Sequence, residues 1–276
     1  MVSVGMATSV HPTAFFTRQA DGSLLATAAA RGPWSNAHQH GGPPTALIAR
    51  AVETFGPDAA EYVVTRLTAE LLAPVPLASP LTVEIEPVRL GNTAQRFAAR
   101  LRLPTGDVVV EASALRLRRA EVPLPAPRHE PVEPLADPSR ATPWSFPFFS
   151  AEIAYHTAVE VRVVRGTWGE GACAAWLRPR IPLVAGEPLT PLQGLTIVAD
   201  AANGIAMALD VRTHTFVNPD ITISMARPPQ GLWTGIDAHS QVLALGTGLN
   251  DCGLYDEAGE LGRVLQSLVV RAREPA

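Results

Sequence analysis

The sequence predicts an α+β fold built twice over, two tandem halves that each wrap an antiparallel sheet around one buried helix. Three observations carry this: an internal repeat, two helix candidates without an ordinary charged face, and a proline-rich break between the copies. The repeat comes first, because it sets the frame. "RLTAELLAPVP" (66–76) resembles "DITISMARPP" (220–229), with Thr68 matching Thr222 and Pro74 matching Pro228 at one offset. "TGDVVVEASALRLRR" (105–119) resembles "AGELGRVLQSLVVRA" (258–272) at nearly that offset, which places Ser113 opposite Gln266.

Each half carries a small-residue helix candidate ahead of its main strand run, Thr45–Val52 and Leu195–Leu209. The second, "LTIVADAANGIAMAL", is apolar or small nearly all round and has no charged face, so protein must surround it. Residues 97–103 and 115–118 alternate apolar and basic, the pattern of half-buried antiparallel strands. A sheet curled around one buried helix is the hotdog arrangement; two copies make a double hotdog. Residues 120–148 repeat proline every few positions, which forbids a regular helix and a central strand. The expected organisation is an N-terminal hotdog (1–119), an extended surface linker (120–148) and a C-terminal hotdog (149–276).

Composition narrows the function. At 276 residues, 47% hydrophobic and 17% charged, the chain is core-rich and long enough for two domains. A net charge of −4 gives no basic field for nucleic acid. No apolar run reaches the roughly 18 residues that span a bilayer, so no membrane insertion is expected. The first ten residues show no basic leader, and Cys173 and Cys252 sit in strand-like text as reduced core thiols. Both point to a cytoplasmic protein.

Polar residues in apolar surroundings mark the candidate site. Asp200 is the only ionisable group in Leu195–Leu209, where desolvation would raise its pKa unless polar partners meet it. Gln266 shares a strand face with Val264, Leu268 and Val270, which should point inward. A structural alternative is an Asp200–Asn203 hydrogen bond within the core. In "HQHGGPPTALIA" (38–49), Pro43 and Pro44 suit a helix's first turn, whose free amides carry partial positive charge. Amides near Gly41 and Gly42 would then polarise a carbonyl, and glycine would let substrate approach the backbone. His38 and His40 admit a metal reading, but no third ligand lies nearby in sequence.

"HGGPPTALIARAVE", "RLTAELLAPVPL", "FVNPDITISMARPPQGLW" and "LYDEAGELGRVLQSLVVR" resemble the double-hotdog acyl-CoA thioesterases of the thioesterase II type, from about Trp34 to Arg271. The resemblance implies hydrolysis of an acyl-CoA or acyl-carrier thioester with no metal or redox cofactor, and is compatible with a homo-oligomer. It assigns Asp200 as the base that activates water, with Gln266 and either Asn218 or Thr222 holding that water. It also sets His40, Gly41 and Gly42 on the substrate side, across from Asp200. Arg96, Arg100, Arg102, Arg116 and Arg118 are candidates for coenzyme A phosphates, or simply a solvated sheet face. Two rivals stand beside the hydrolase: a hotdog hydratase or dehydratase, whose Asp–His pair would draw on His214 or His239, and a silent acyl-binding protein. No Gly-x-Ser-x-Gly elbow supports a serine hydrolase.

Overall fold

The structure, a computed structural model, describes residues 11–125 and 133–273. The amino-terminal ten residues, in which no leader was read, and the middle of the proline-rich stretch lie outside them. In chain order the elements are β1 Phe16–Arg18, β2 Leu24–Ala26, α1 Gly42–Glu53, β3 Tyr62–Leu71, β4 Thr82–Leu90, β5 Ala94–Arg102, β6 Val108–Arg118 and β7 Thr142–Trp144. There follow α2 Tyr155–Ala158, β8 Val159–Gly166, β9 Ala172–Pro179, α3 Pro191–Ala199, α4 Ala202–Ile205, β10 His214–Val217, β11 Asp220–Met225, β12 Thr234–Leu243, β13 Thr247–Asp256 and β14 Gly259–Ala272.

All of these strands but β1 and β2 join one 12-stranded sheet in the order β4-β5-β6-β3-β11-β14-β13-β12-β9-β8-β7, with β10 on the end of β14. The copies meet where β3 pairs antiparallel with β11, and there Thr68 lies directly opposite Thr222. Equivalent residues facing each other across an antiparallel pair place a pseudo-twofold axis between them. The fold is a double hotdog: α1 and α3 lie inside the curled sheet, and one continuous core takes Leu47, Ile48, Leu67, Leu195, Ile197 and Ile221 from both halves.

Three expectations change. The helix expected over Leu195–Leu209 stops at Ala199, Asp200 caps it, and a separate turn of helix follows at Ala202–Ile205. The side-chain amide of Gln266 stitches this break, accepting from the Asn203 N–H at 3.2 Å and donating to the Asp200 carbonyl at 3.2 Å. The proline-rich stretch is not wholly a surface linker. Leu135 and Phe146 are buried, Trp176 donates its ring N–H to the Ala136 carbonyl, and Thr142–Trp144 pairs with β8 as an edge strand, where a proline is tolerated. Lastly, alternation holds in β5 but inverts in β6. Arg116 continues the inward face of Val110, Ala112 and Ala114, which leaves Leu117 exposed.

Candidate active site

The site forms where the start of α1 meets the end of α3. That approach is close enough to dictate glycine. A Cβ on Gly42 would lie 2.1 Å from the Ile197 carbonyl oxygen, and one on Gly41 would lie 2.9 Å from Asp200 Oδ2. Helix packing thus gives the pair a reason to be glycine beside the substrate approach that the sequence reading proposed. Pro43 and Pro44 occupy the first turn of α1 as expected.

Asp200 is buried, yet every direction around its carboxylate holds a donor. Asn218 donates to Oδ1 at 2.7 Å and Gln266 at 3.4 Å, while His40 Nδ1 lies 3.0 Å from Oδ2. The Gly42 amide also points here, 3.3 Å from His40 Nδ1 and within hydrogen-bonding reach of the carboxylate. A single ring nitrogen cannot donate to Asp200 and accept from Gly42 together. The shorter contact to an ionised group decides for donation, which leaves the amide to the carboxylate. Burial pushes the Asp200 carboxyl up, but His40, Asn218 and the Gly42 amide outweigh it and hold it below the ordinary carboxylate range. The expected rise toward the protonated form is reversed by this shell.

His40 is fixed from its other side by Tyr155, whose ring stacks on the imidazole with centroids 3.8 Å apart and planes 3° from parallel. Tyr155 in turn donates its hydroxyl to the Ile197 carbonyl at 3.1 Å, and burial together with the Asp200 charge pushes its phenol well up. Among the described residues, no side chain occupies His40 Nε2, and the Gly41 N–H donates to no protein acceptor. Both residues line a cavity of about 420 Å³ with Asp200, Asn203 and Asn218 on its floor. Aromatic rings from Trp34, Phe146, Phe148, Phe149 and Phe216 wall it.

The structure gathers His40, Gly41, Gly42, Asp200, Asn218 and Gln266 into one cluster. Gln266 and Gly42 are buried behind the carboxylate and do not reach the cavity. Thr222 is excluded: it faces away from the core, against Thr68 at 3.3 Å, because Ile221 and Ile223 take the inward positions of β11. Nor does Ser113 match Gln266. Thr68 pairs with Ser113 and Thr222 with Leu265, so the first-half counterpart of Gln266 is Ala114. The two halves do keep a carboxylate at the equivalent helix junction, since Glu53 at the end of α1 accepts from the Thr190 hydroxyl at 2.8 Å at the start of α3.

The phosphate candidates fall elsewhere. None of the five arginines lines the cavity. Arg100 pairs with Glu111, Arg102 with Glu84 and Arg118 with Glu61, while Arg96 stands exposed on β5. Arg116 is buried, donates to the Val52 and Phe55 carbonyls at the end of α1, and lies over the Tyr62 and Phe97 rings. His214 bonds Thr213, and His239 is exposed on β12; the Asp–His pair that the hydratase reading sought is made by His40 instead. Among the described residues no three His, Cys, Asp or Glu side chains converge as a metal site would require. Tyr155 and the phenylalanines of "WSFPFF" were missed by the sequence reading, which took the text up to Phe148 as linker and gave Phe149 and Tyr155 no role. Its aromatic density was the available signal.

Comparison with known proteins agrees with this architecture. The acyl-CoA thioesterase N-terminal domain model matches residues 30–117, and the C-terminal domain model matches residues 129–270. The chain belongs to the acyl-CoA thioesterase family and is a hydrolase of that family. No curated protein matches it in sequence. Among solved structures, a presumptive thioesterase from Novosphingobium aromaticivorans shares 23% identity and a TM-score of 0.71, over 92% of this chain and 98% of that one. The acyl-CoA thioesterase II TesB2 from Mycobacterium marinum shares 20% identity and a TM-score of 0.62, over 86% and 91%. A hot dog fold protein from Alicyclobacillus acidocaldarius shares 19% and 0.69, over 92% and 93%. Among the described residues, no helix is long and apolar enough to cross a membrane.

Proposed function

We propose that the protein hydrolyses an acyl-CoA, or a carrier-bound acyl thioester, with the Asp200–His40 pair activating the attacking water. The observation that carries this reading is the 3.0 Å contact between His40 Nδ1 and Asp200 Oδ2 at the floor of an apolar, aromatic-walled cavity. A carboxylate that already accepts from four donors, and is held below its ordinary range, is a weak proton acceptor. Asp200 therefore orients His40, and His40 Nε2 takes the proton. This revises the assignment of Asp200 as the base itself.

The reaction then runs in two steps. Water attacks the thioester carbon and passes its proton to His40 Nε2, while the carbonyl oxygen gains charge within reach of the free Gly41 N–H. Collapse breaks the carbon–sulfur bond, and the departing thiolate takes that proton, giving free acid and thiol. Asn218 and Gln266 act as positioning residues that hold Asp200. Nothing in the scheme calls for a metal or redox cofactor. The test is release of free thiol from a panel of acyl-CoAs by purified protein, run beside a hydration assay on an enoyl-CoA. Thiol release supports the reading; hydration without thiol release would replace it with the hydratase.

A further inference from the structure

The site cavity does not end in solid protein at its aromatic end. A second cavity of about 560 Å³, floored by Trp168, Met207, Leu209 and Val211, lies beyond it, and the two share Pro33, Trp34 and Phe148 as a common wall. The Trp34 and Phe148 rings stand 6.4 Å apart and 27° from parallel. Each is braced by a further ring: Trp34 meets Phe216 of the site cavity edge-on at 5.2 Å, and Phe148 stacks on Trp168 of the second cavity at 6.0 Å. Trp34 belongs to the loop before α1 and Phe148 to the segment after β7, so two separate stretches of chain complete one partition.

We propose that Trp34 and Phe148 form a partition that closes the acyl pocket and sets the substrate class to short-chain and aryl acyl thioesters. The proposal rests on the acyl-thioester reading and names the substrate class of that same site. Chemistry fixes which end of the substrate faces the partition. The thiol arm of coenzyme A carries amides and ends in phosphates, and against these the partition offers two aromatic faces, one indole N–H and no cation. The second cavity is lined by Trp168, Met207, Leu209 and Val211, while Arg212 stands at its exposed edge against the Asp210 carboxylate and Arg273 donates its Nε to the Val211 carbonyl at 2.8 Å. Hydrocarbon suits that direction. The thiol arm leaves past the opposite rim, Leu71–Val75, where Leu72 is open to solvent. A flat aryl group stacks on the rings, whereas a long chain must displace them into the second cavity.

The experiment measures affinity apart from turnover. S-hexyl and S-hexadecyl thioethers of coenzyme A, which cannot be hydrolysed, are titrated into the wild type, Trp34→Ala, Phe148→Leu and Phe148→Ala, with melting temperatures taken on each preparation. The wild type should gain little from the longer chain. Opening the partition should raise the hexadecyl-over-hexyl affinity ratio by roughly tenfold or more, since two further buried methylenes are worth about that. Trp34 is partly exposed, so its truncation reports even if a Phe148 variant folds poorly. An unchanged ratio, an equal loss for both ligands, or a strong hexadecyl preference in the wild type would overturn the proposal. Selective binding without thiol release from any acyl-CoA would instead sink the hydrolase reading and leave the partition standing.

Discussion

His40 of the first half and Asp200 of the second meet at 3.0 Å, each supplied by the end of a different buried helix or its lead-in. The site therefore belongs to the junction of the copies and not to either one. If the pair acts as a unit, Asp200→Asn and His40→Ala should each lower kcat by roughly 10²–10⁴. The double variant should cost far less than the product of the two. Independent, multiplying losses in steady-state kinetics would show that the two residues serve different steps.

Gln266 joins Asp200 to Asn203 from behind, so its loss should register in folding as well as turnover. Gln266→Ala leaves the buried Asn203 N–H and Asp200 carbonyl unmet, a destabilisation of about 1–3 kcal/mol by chemical denaturation. Turnover per folded molecule should fall less than in Asp200→Asn. Thr222→Val, on the outer face, should leave kcat unchanged, and a large kcat loss there would overturn its exclusion from the site.

Arg116 tests the rejected phosphate role. Its guanidinium closes the carboxyl end of α1, and removing it takes a donor from the Val52 and Phe55 carbonyls and leaves the buried Gln95 side chain without its guanidinium partner. Arg116→Met should lower stability by about 1–3 kcal/mol while KM for an acyl-CoA stays put. A raised KM at unchanged melting temperature would return it to the substrate.

The lowered Asp200 pKa also carries a sign. A carboxyl depressed on folding contributes stability above its unfolded value of 3.8, and loses it as pH falls through the lower folded one. The acid side of the melting profile should thus include a contribution from Asp200 that is missing in Asp200→Asn. Profiles that differ by a constant at all acidic pH values would contradict the shift.

Much of this was legible in the sequence because it follows from repetition and periodicity. The Thr68–Thr222 match marked equivalent positions of the two halves, which the fold sets opposite each other, and the face shared by Val264, Gln266 and Leu268 turned inward as period two requires. The failures have physical causes. Arg116 reads as a solvated basic residue, yet it shares the inward face of Ala112 and Ala114, where its guanidinium finds backbone carbonyls and aromatic rings. Pairing Ser113 with Gln266 was off by one, and a shift of one residue exchanges the two faces of a strand. The His40–Asp200 contact joins positions that only tertiary packing brings together. No local pattern announces it, and the His38–His40 spacing gave no hint that His40 would meet Asp200.

The central claim is that Asp200 serves turnover, not merely the core. Initial rates of thiol release from an acyl-CoA and thermal unfolding, measured on the same preparations of wild type and Asp200→Asn, test it most directly. The account predicts a folded variant that still binds substrate but turns it over roughly 10²–10⁴ times more slowly. Full turnover per folded molecule, with the loss confined to melting temperature, would contradict it.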